Sequence, residues 1–141
     1  SVSAKAMSML ADKAIVSRLT YMDQDILNLI LLGKVKFIDA KYNTQFSLNY
    51  ELKKSFVCPI NDETVLIHYV GPTKPWHYWA GYPSAQPFIK AKEASPWKNE
   101  PLMRPVNSNY ARYCAKHNFK QNKPINGIMN YIYYFYLKII K

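Results

Sequence analysis

The sequence predicts an α/β chain whose second half is mostly helical. Three observations carry that expectation. The β-branched run "TVLIHYV" at 64–70 has the length and composition of a buried strand. Residues before Gly33 place apolar side chains at helical spacing. Beyond Gly71, prolines at 72, 75, 83, 87, 96, 101 and 105 cut the chain into loops and short helices, and two longer periodic segments follow.

Taken in order, Val2, Ala6, Met9, Leu10, Ile15 and Leu19 predict one or two helices over 2–19. "TYMDQDILNLILLG" predicts another, capped at Thr20 or Asp23, with Ile26, Leu27, Ile30 and Leu31 on its apolar face and Gly33 as its stop. "KVKFID" at 34–39 alternates and predicts a short strand, whereas the polar and aromatic residues 40–62 predict an irregular excursion. "NSNYARYCAKHNFKQN" predicts a helix capped near Asn107 or Ser108. In the last segment Ile125, Ile128, Met129, Ile132, Phe135, Tyr136 and Ile139 fall at helical spacing. No internal repeat or low-complexity tract occurs.

At 141 residues and 49% hydrophobic content, the chain is long enough to bury a core of its own. It starts at Ser1, without an initiator methionine, on residues that already have helical character, so the expectation is a fragment of a longer chain. Nineteen Lys and Arg against nine Asp and Glu favour anionic partners: nucleic acid, phosphorylated ligands or an anionic membrane surface. No acidic residue follows Glu100, while Arg104, Arg112, Lys116, Lys120, Lys123, Lys138 and Lys141 do. Cys58 and Cys114 form no CxxC pair or disulfide framework and suit reduced thiols. No apolar run approaches the ~20 residues of a membrane-spanning helix, and no signal peptide stands at Ser1.

Three stretches carry candidate chemistry. His68 ends the predicted strand, and ligands of α/β sheets bind outside the carboxyl ends of strands; a neutral imidazole there suits a divalent transition-metal ion. In "GPTKPW", Gly71 permits positive φ and two prolines stiffen the turn, so Lys74 is presented on a short rigid loop suited to a diphosphate. Trp76, His77 and Trp79 offer a platform for a sugar or base. In "DQD" at 23–25, paired carboxylates suit a cation, or one caps the helix while the other reaches a site, and Asn28 lies on the side of Asp25. Taken singly, each has a plainer explanation: a hydrogen-bonded histidine, a solvated lysine on a proline-rich turn, packed tryptophans and a helix cap.

In combination, "YMDQDILN" at 21–28 followed by "HYVGPTKPWH" at 68–77 resembles the retaining family 8 glycosyltransferases of bacterial lipopolysaccharide assembly. The match is specific over about residues 10–80. The remainder is similar only to the variable basic, aromatic C-terminal region of the lipopolysaccharide hexosyltransferases. The resemblance implies the C-terminal part of a GT-A fold, with residues 1–80 in the catalytic domain and 81–141 a helical basic, aromatic region. It implies transfer of glucose or galactose from a UDP-hexose donor to the lipopolysaccharide core, with Mn²⁺ or Mg²⁺ and retention of configuration. His68 matches the family's metal ligand, and Gly71 and Lys74 match its diphosphate contacts. Asp23 and Gln24 match the pair lying against the transferred sugar and are the candidate catalytic residues, while Asp23 and Trp76 are the candidate contacts to sugar or acceptor. "DQD" resembles the family's second motif rather than its metal-binding Asp-x-Asp, which does not occur elsewhere in this sequence. The expectation is therefore that the nucleotide-binding half is missing and that the chain is inactive alone.

The basic tail has its own physics. Arg112, Lys116 and Lys120 recur every four residues as a stripe, and Tyr131, Tyr133, Tyr134, Phe135 and Tyr136 are of the type that settles at membrane interfaces. These features predict a cytoplasmic protein, peripheral on the inner face of the bacterial cytoplasmic membrane; the alternative for the last helix is packing on the protein itself. The rival class is a basic, aromatic nucleic-acid-binding or peripheral membrane-binding module without catalysis. No RNP-like, KH-like or zinc-knuckle pattern occurs, and no nucleic-acid partner is expected.

Overall fold

The computed structural model describes residues 1–140 and divides the chain into two compact units, Ser1–Ile38 and Asp39–Lys141. In the first, α1 (Val2–Ala11) and the one-turn α2 (Lys13–Val16) precede α3 (Met22–Ile30). Asp12 separates the first two and caps α2, accepting from the Ala14 and Ile15 amides. Ile26 is the buried residue of α3, which packs against α1. The cap of α3 differs from expectation: no side chain at its N-cap serves, and Asp25 instead reaches back to accept the Thr20 and Tyr21 amides, each at 2.9 Å. A turn at 31–33 follows it, with Gly33 at φ +74°.

The predicted strand at 34–39 does not form. Its alternating apolar side chains meet nothing that would bury them, and Phe37 is 92% exposed. In the second unit, β1 (Thr44–Phe46) lies inside the stretch expected to be irregular. It pairs in parallel with β2 (Ile67–Tyr69), Gln45 opposite His68. The run 64–70 is thus shorter as a strand than expected, and it is not buried: Val65 is 61% exposed.

Phe46 and Leu48 anchor a core with Ala80, Tyr82 and Ala85, onto which Ile60 and Tyr69 pack. Proline-broken loops lead into α4 (Gln86–Glu93), α5 (Ser108–Lys120) and α6 (Pro124–Ile139). Asn107 caps α5 as expected, accepting from the Tyr110 amide. Gly127 lets α5 and α6 approach closely, since a Cβ there would lie 2.6 Å from the Phe119 ring. The basic stripe on α5 is only partly free: Arg112 is half-buried and donates to Asn109, and the Lys120 ammonium donates to the Lys53 carbonyl. No helix among the described residues is long and apolar enough to cross a membrane.

Candidate functional site

The parallel pair β1–β2 delivers His68 to one wall of an open cleft of about 650 Å³. Lys74, Pro75 and Trp76 supply another part of the wall, with Phe88 of α4 beside Trp76 at 5.9 Å between ring centroids. The structure therefore gathers His68, Lys74 and Trp76 around one space. Asp23 and Gln24 are exposed on α3, in the first unit.

His68 is oriented by a partner that its motif does not contain. Its Nδ1 lies 3.1 Å from Oδ1 of Asn43. An amide oxygen only accepts, so Nδ1 carries a proton, and in the neutral ring Nε2 is the nitrogen that keeps its lone pair. This is how a ligating histidine is usually held, with the second nitrogen donating to an oxygen. A single imidazole supplies one ligand for a divalent ion at that position. Among the described residues, no three His, Cys, Asp or Glu side chains are grouped to hold one.

Gly71 is required by geometry as well as conformation. Its φ is +83°, and a Cβ there would meet Ser47 Oγ at 2.8 Å. The chain then turns so that Lys74 Nζ donates to the Tyr69 carbonyl at 2.6 Å. An ammonium has three N–H donors, so two remain for a ligand. Tyr69 is itself pinned, its hydroxyl donating to the Ser84 carbonyl at 2.7 Å; burial, with nearby Cys58 adding to it, pushes this phenol up to about 12.

The aromatic platform expected of Trp76, His77 and Trp79 is reduced to one ring. Trp76 is 42% exposed, whereas His77 and Trp79 are buried and stacked at 4.2 Å. His77 Nδ1 accepts the Lys74 amide at 3.1 Å, so the lysine is positioned at both its backbone and its ammonium. Burial, helped by the Lys74 charge, lowers the His77 pKa to about 4 and keeps the ring neutral. Its Nε2 and the Trp79 indole nitrogen are buried without a hydrogen-bond partner among the described residues.

His117, on α5, is the residue the motifs did not single out. It is fully buried, with Nε2 3.1 Å from both Thr73 Oγ1 and Asn49 Oδ1 and Nδ1 2.7 Å from the Tyr82 hydroxyl. The Asn49 oxygen must receive a proton, so Nε2 carries it and Nδ1 accepts from Tyr82. Burial, followed by the nearby His77 and Lys116, lowers its pKa to about 4. Ala111, Cys114, Ala115 and Asn118 line the same buried face of α5, and that spacing is the signal that marks position 117 as interior.

Residues 1–80 match the model of glycosyl transferase family 8, and residues 82–138 match that of the glycosyl transferase family 8 C-terminal region. The chain belongs to glycosyl transferase family 8. It is 54% identical to the lipopolysaccharide glucosyltransferase WaaO of Escherichia coli (strain K12), over 98% of this chain and 41% of that protein. It is 51% identical to the lipopolysaccharide 1,3-galactosyltransferase of Salmonella typhimurium, over 99% of this chain and 42% of that protein. A lipopolysaccharide 1,2-glucosyltransferase of Escherichia coli is 38% identical over 95% of this chain and 41% of its own length. The chain thus spans about two-fifths of the length of these relatives. No solved structure matches it.

Proposed function

We propose that this chain is the C-terminal part of a GT-A hexosyltransferase that moves glucose or galactose from a UDP-sugar to the lipopolysaccharide core, with retention of configuration. Residues 1–80 are then part of the catalytic domain, and 81–141 a helical region that brings it to its acceptor. The observation that carries this reading is the cleft that His68, Lys74 and Trp76 share, with the lone pair of His68 Nε2 free and two Lys74 N–H donors unused. The relatives named as lipopolysaccharide glucosyl- and galactosyltransferases support the substrate class.

The chemistry follows from the leaving group. As the bond between the anomeric carbon and the diphosphate breaks, negative charge grows on the phosphate oxygens, and Lys74 stabilises it at the wall of the open cleft. Gly71 does not line the cleft; it meets Ser47 on its open side and sets the turn that presents Lys74 to the same diphosphate. A Mn²⁺ or Mg²⁺ ion supplies Lewis-acid stabilisation of that charge, and His68 is the ligand this chain contributes. Asp23 and Gln24 position the sugar and acceptor hydroxyl, and their oxygens favour the positive character of the oxocarbenium-like transition state. Trp76 offers its exposed ring to a sugar face.

Membrane attachment belongs to the same proposal. The outer face of α6 exposes Ile125, Ile132, Phe135 and Ile139, with Lys138 beside them. Such a face fits the interfacial zone at the inner surface of the cytoplasmic membrane, where the lipid-anchored acceptor is met.

The test is transfer by the protein expressed from its complete reading frame. It is assayed with UDP-glucose and UDP-galactose on truncated lipopolysaccharide, with and without Mn²⁺. We expect metal-dependent transfer from one donor, lowered roughly tenfold or more in kcat/KM by His68→Ala. Full turnover and unchanged metal dependence in that variant would remove the metal assignment, and no transfer from either donor would remove the reading.

A further inference from the structure

We propose that a second groove, between the 101–105 segment and α6, binds an acidic saccharide segment of the acceptor; the choice of a glycan rests on the transferase reading above. The groove encloses about 790 Å³, within the range of ligand sites, and is lined by Tyr78, Arg104, Pro105, Asn126, Asn130 and Tyr133 among others. It involves none of the residues that line the His68–Lys74 cleft.

Its chemistry is that of saccharide recognition. Asn126 and Asn130 stand one helical turn apart on α6, so both carboxamides face the same side. Both amide hydrogens of Asn130 are engaged, one on the Asn126 carbonyl at 2.8 Å and one on the Tyr78 hydroxyl at 3.3 Å. Its Oδ1 is left as the atom that accepts from a hydroxyl. Tyr78 is held in turn, its hydroxyl 3.0 Å from the buried Cys114 thiol. Tyr78 and Tyr133 are both more than a third exposed and offer flat apolar faces to the C–H face of a pyranose ring. Asn126 remains exposed to donate and accept. Together the carboxamides and phenols match the closely spaced hydroxyls of a sugar rather than an apolar ligand.

Charge sets the subclass. Arg104 is exposed at this groove, and its planar fork pairs with carboxylate or phosphate oxygens. No carboxylate is among the residues that line the groove. An acidic substituent on the saccharide is therefore what the site selects.

The test uses the protein expressed from its complete reading frame, with three probes in titration calorimetry: lipid-free core oligosaccharide released from lipopolysaccharide by mild acid, neutral maltotriose, and UDP. Arg104→Gln and Asn126→Ala are compared with the unmodified protein, and both positions are exposed enough for the fold to be retained, as circular dichroism and Tm will report. We expect the core oligosaccharide to bind about fivefold or more weakly in each variant. Maltotriose is expected to bind more weakly than the core and to ignore Arg104→Gln. In transfer assays the variants raise acceptor KM while kcat at saturating acceptor and UDP-hexose affinity stay unchanged. Equal oligosaccharide affinity in variants and unmodified protein, or no saturable binding at all, overturns the site. Displacement of the oligosaccharide by UDP alone overturns its assignment to a glycan. Arg104-dependent oligosaccharide binding by a protein that transfers no hexose would leave this site standing and remove the transferase reading alone.

Discussion

The His117 imidazole, on α5, lies 3.1 Å from the hydroxyl of Thr73 in the "GPTKPW" turn, joining residues 44 positions apart. The same ring reaches Asn49 and Tyr82, so one neutral histidine ties together the helix, the turn and the segments on either side. Lys74 follows Thr73 directly, and its own amide is held by His77. The turn that its prolines stiffen is thus also held by a residue of the C-terminal region.

Replacing His117 with alanine removes a fully buried ring and leaves the Thr73, Asn49 and Tyr82 polar groups without it. A loss of about 3 kcal/mol in unfolding free energy is expected, from the cavity and the unmet hydrogen bonds together. Urea denaturation of the variant checks it. A change below about 0.5 kcal/mol, typical of surface positions, would mean that the network contributes little.

Acid should weaken the fold through the same pair of rings. His77 and His117 take up a proton only near pH 4 when folded, against an ordinary value of 6.5 when unfolded. Between those values the unfolded chain binds more protons, so the stabilisation is present above pH 6.5 and is lost as pH falls toward 4. The slope reaches up to about 1.4 kcal/mol per pH unit for each histidine. Urea midpoints at pH 7.5, 6 and 5 should fall in that order, and a flat series would contradict neutral burial of the two rings.

Gly71→Ala should distort the turn. It forces a side chain onto a backbone at φ +83° and places its Cβ against Ser47 Oγ, for a cost of about 1–3 kcal/mol. Adding Ser47→Ala removes the contact but not the backbone strain, so the double variant should recover part of the loss. Full recovery would show that the contact alone matters.

The exposed face of α6 gives a separate prediction. Phe135 and Ile139 are 60% and 83% exposed, so replacing both with serine should leave Tm unchanged. Each loses an apolar side chain worth about 1.5–3 kcal/mol of burial, which should abolish flotation with anionic phosphatidylglycerol vesicles. Equal recovery with the vesicles would remove the membrane assignment.

The helices were legible because their signals are local. α3, α5 and α6 announce themselves by apolar spacing, and Asn107 caps α5 where the sequence says it should. β1 was not legible, because "TQF" has no strand pattern and is held by its partner, with the Thr44 amide donating to the Leu66 carbonyl. "KVKFID" errs the other way: it alternates, but alternation makes a strand only where a neighbour supplies hydrogen bonds and a surface to cover. At the cleft, His68, Lys74 and Trp76 could be named from their motif, whereas Asn43 and His117 could not. Their roles arise from contacts spanning 25 and 44 residues, which no local pattern encodes.

The measurement that bears most directly on the central claim is calorimetric binding of UDP with Mn²⁺ to the protein expressed from its complete reading frame, compared with Lys74→Gln and His68→Ala. Lys74 and His68 line the same cleft, and His68 is exposed, so its variant should keep the fold. The account predicts metal-dependent UDP binding that weakens roughly tenfold in each variant, with Tm retained in His68→Ala. Binding of equal strength in all three proteins would show that the diphosphate and its metal lie elsewhere, and the cleft would lose its role as a donor site.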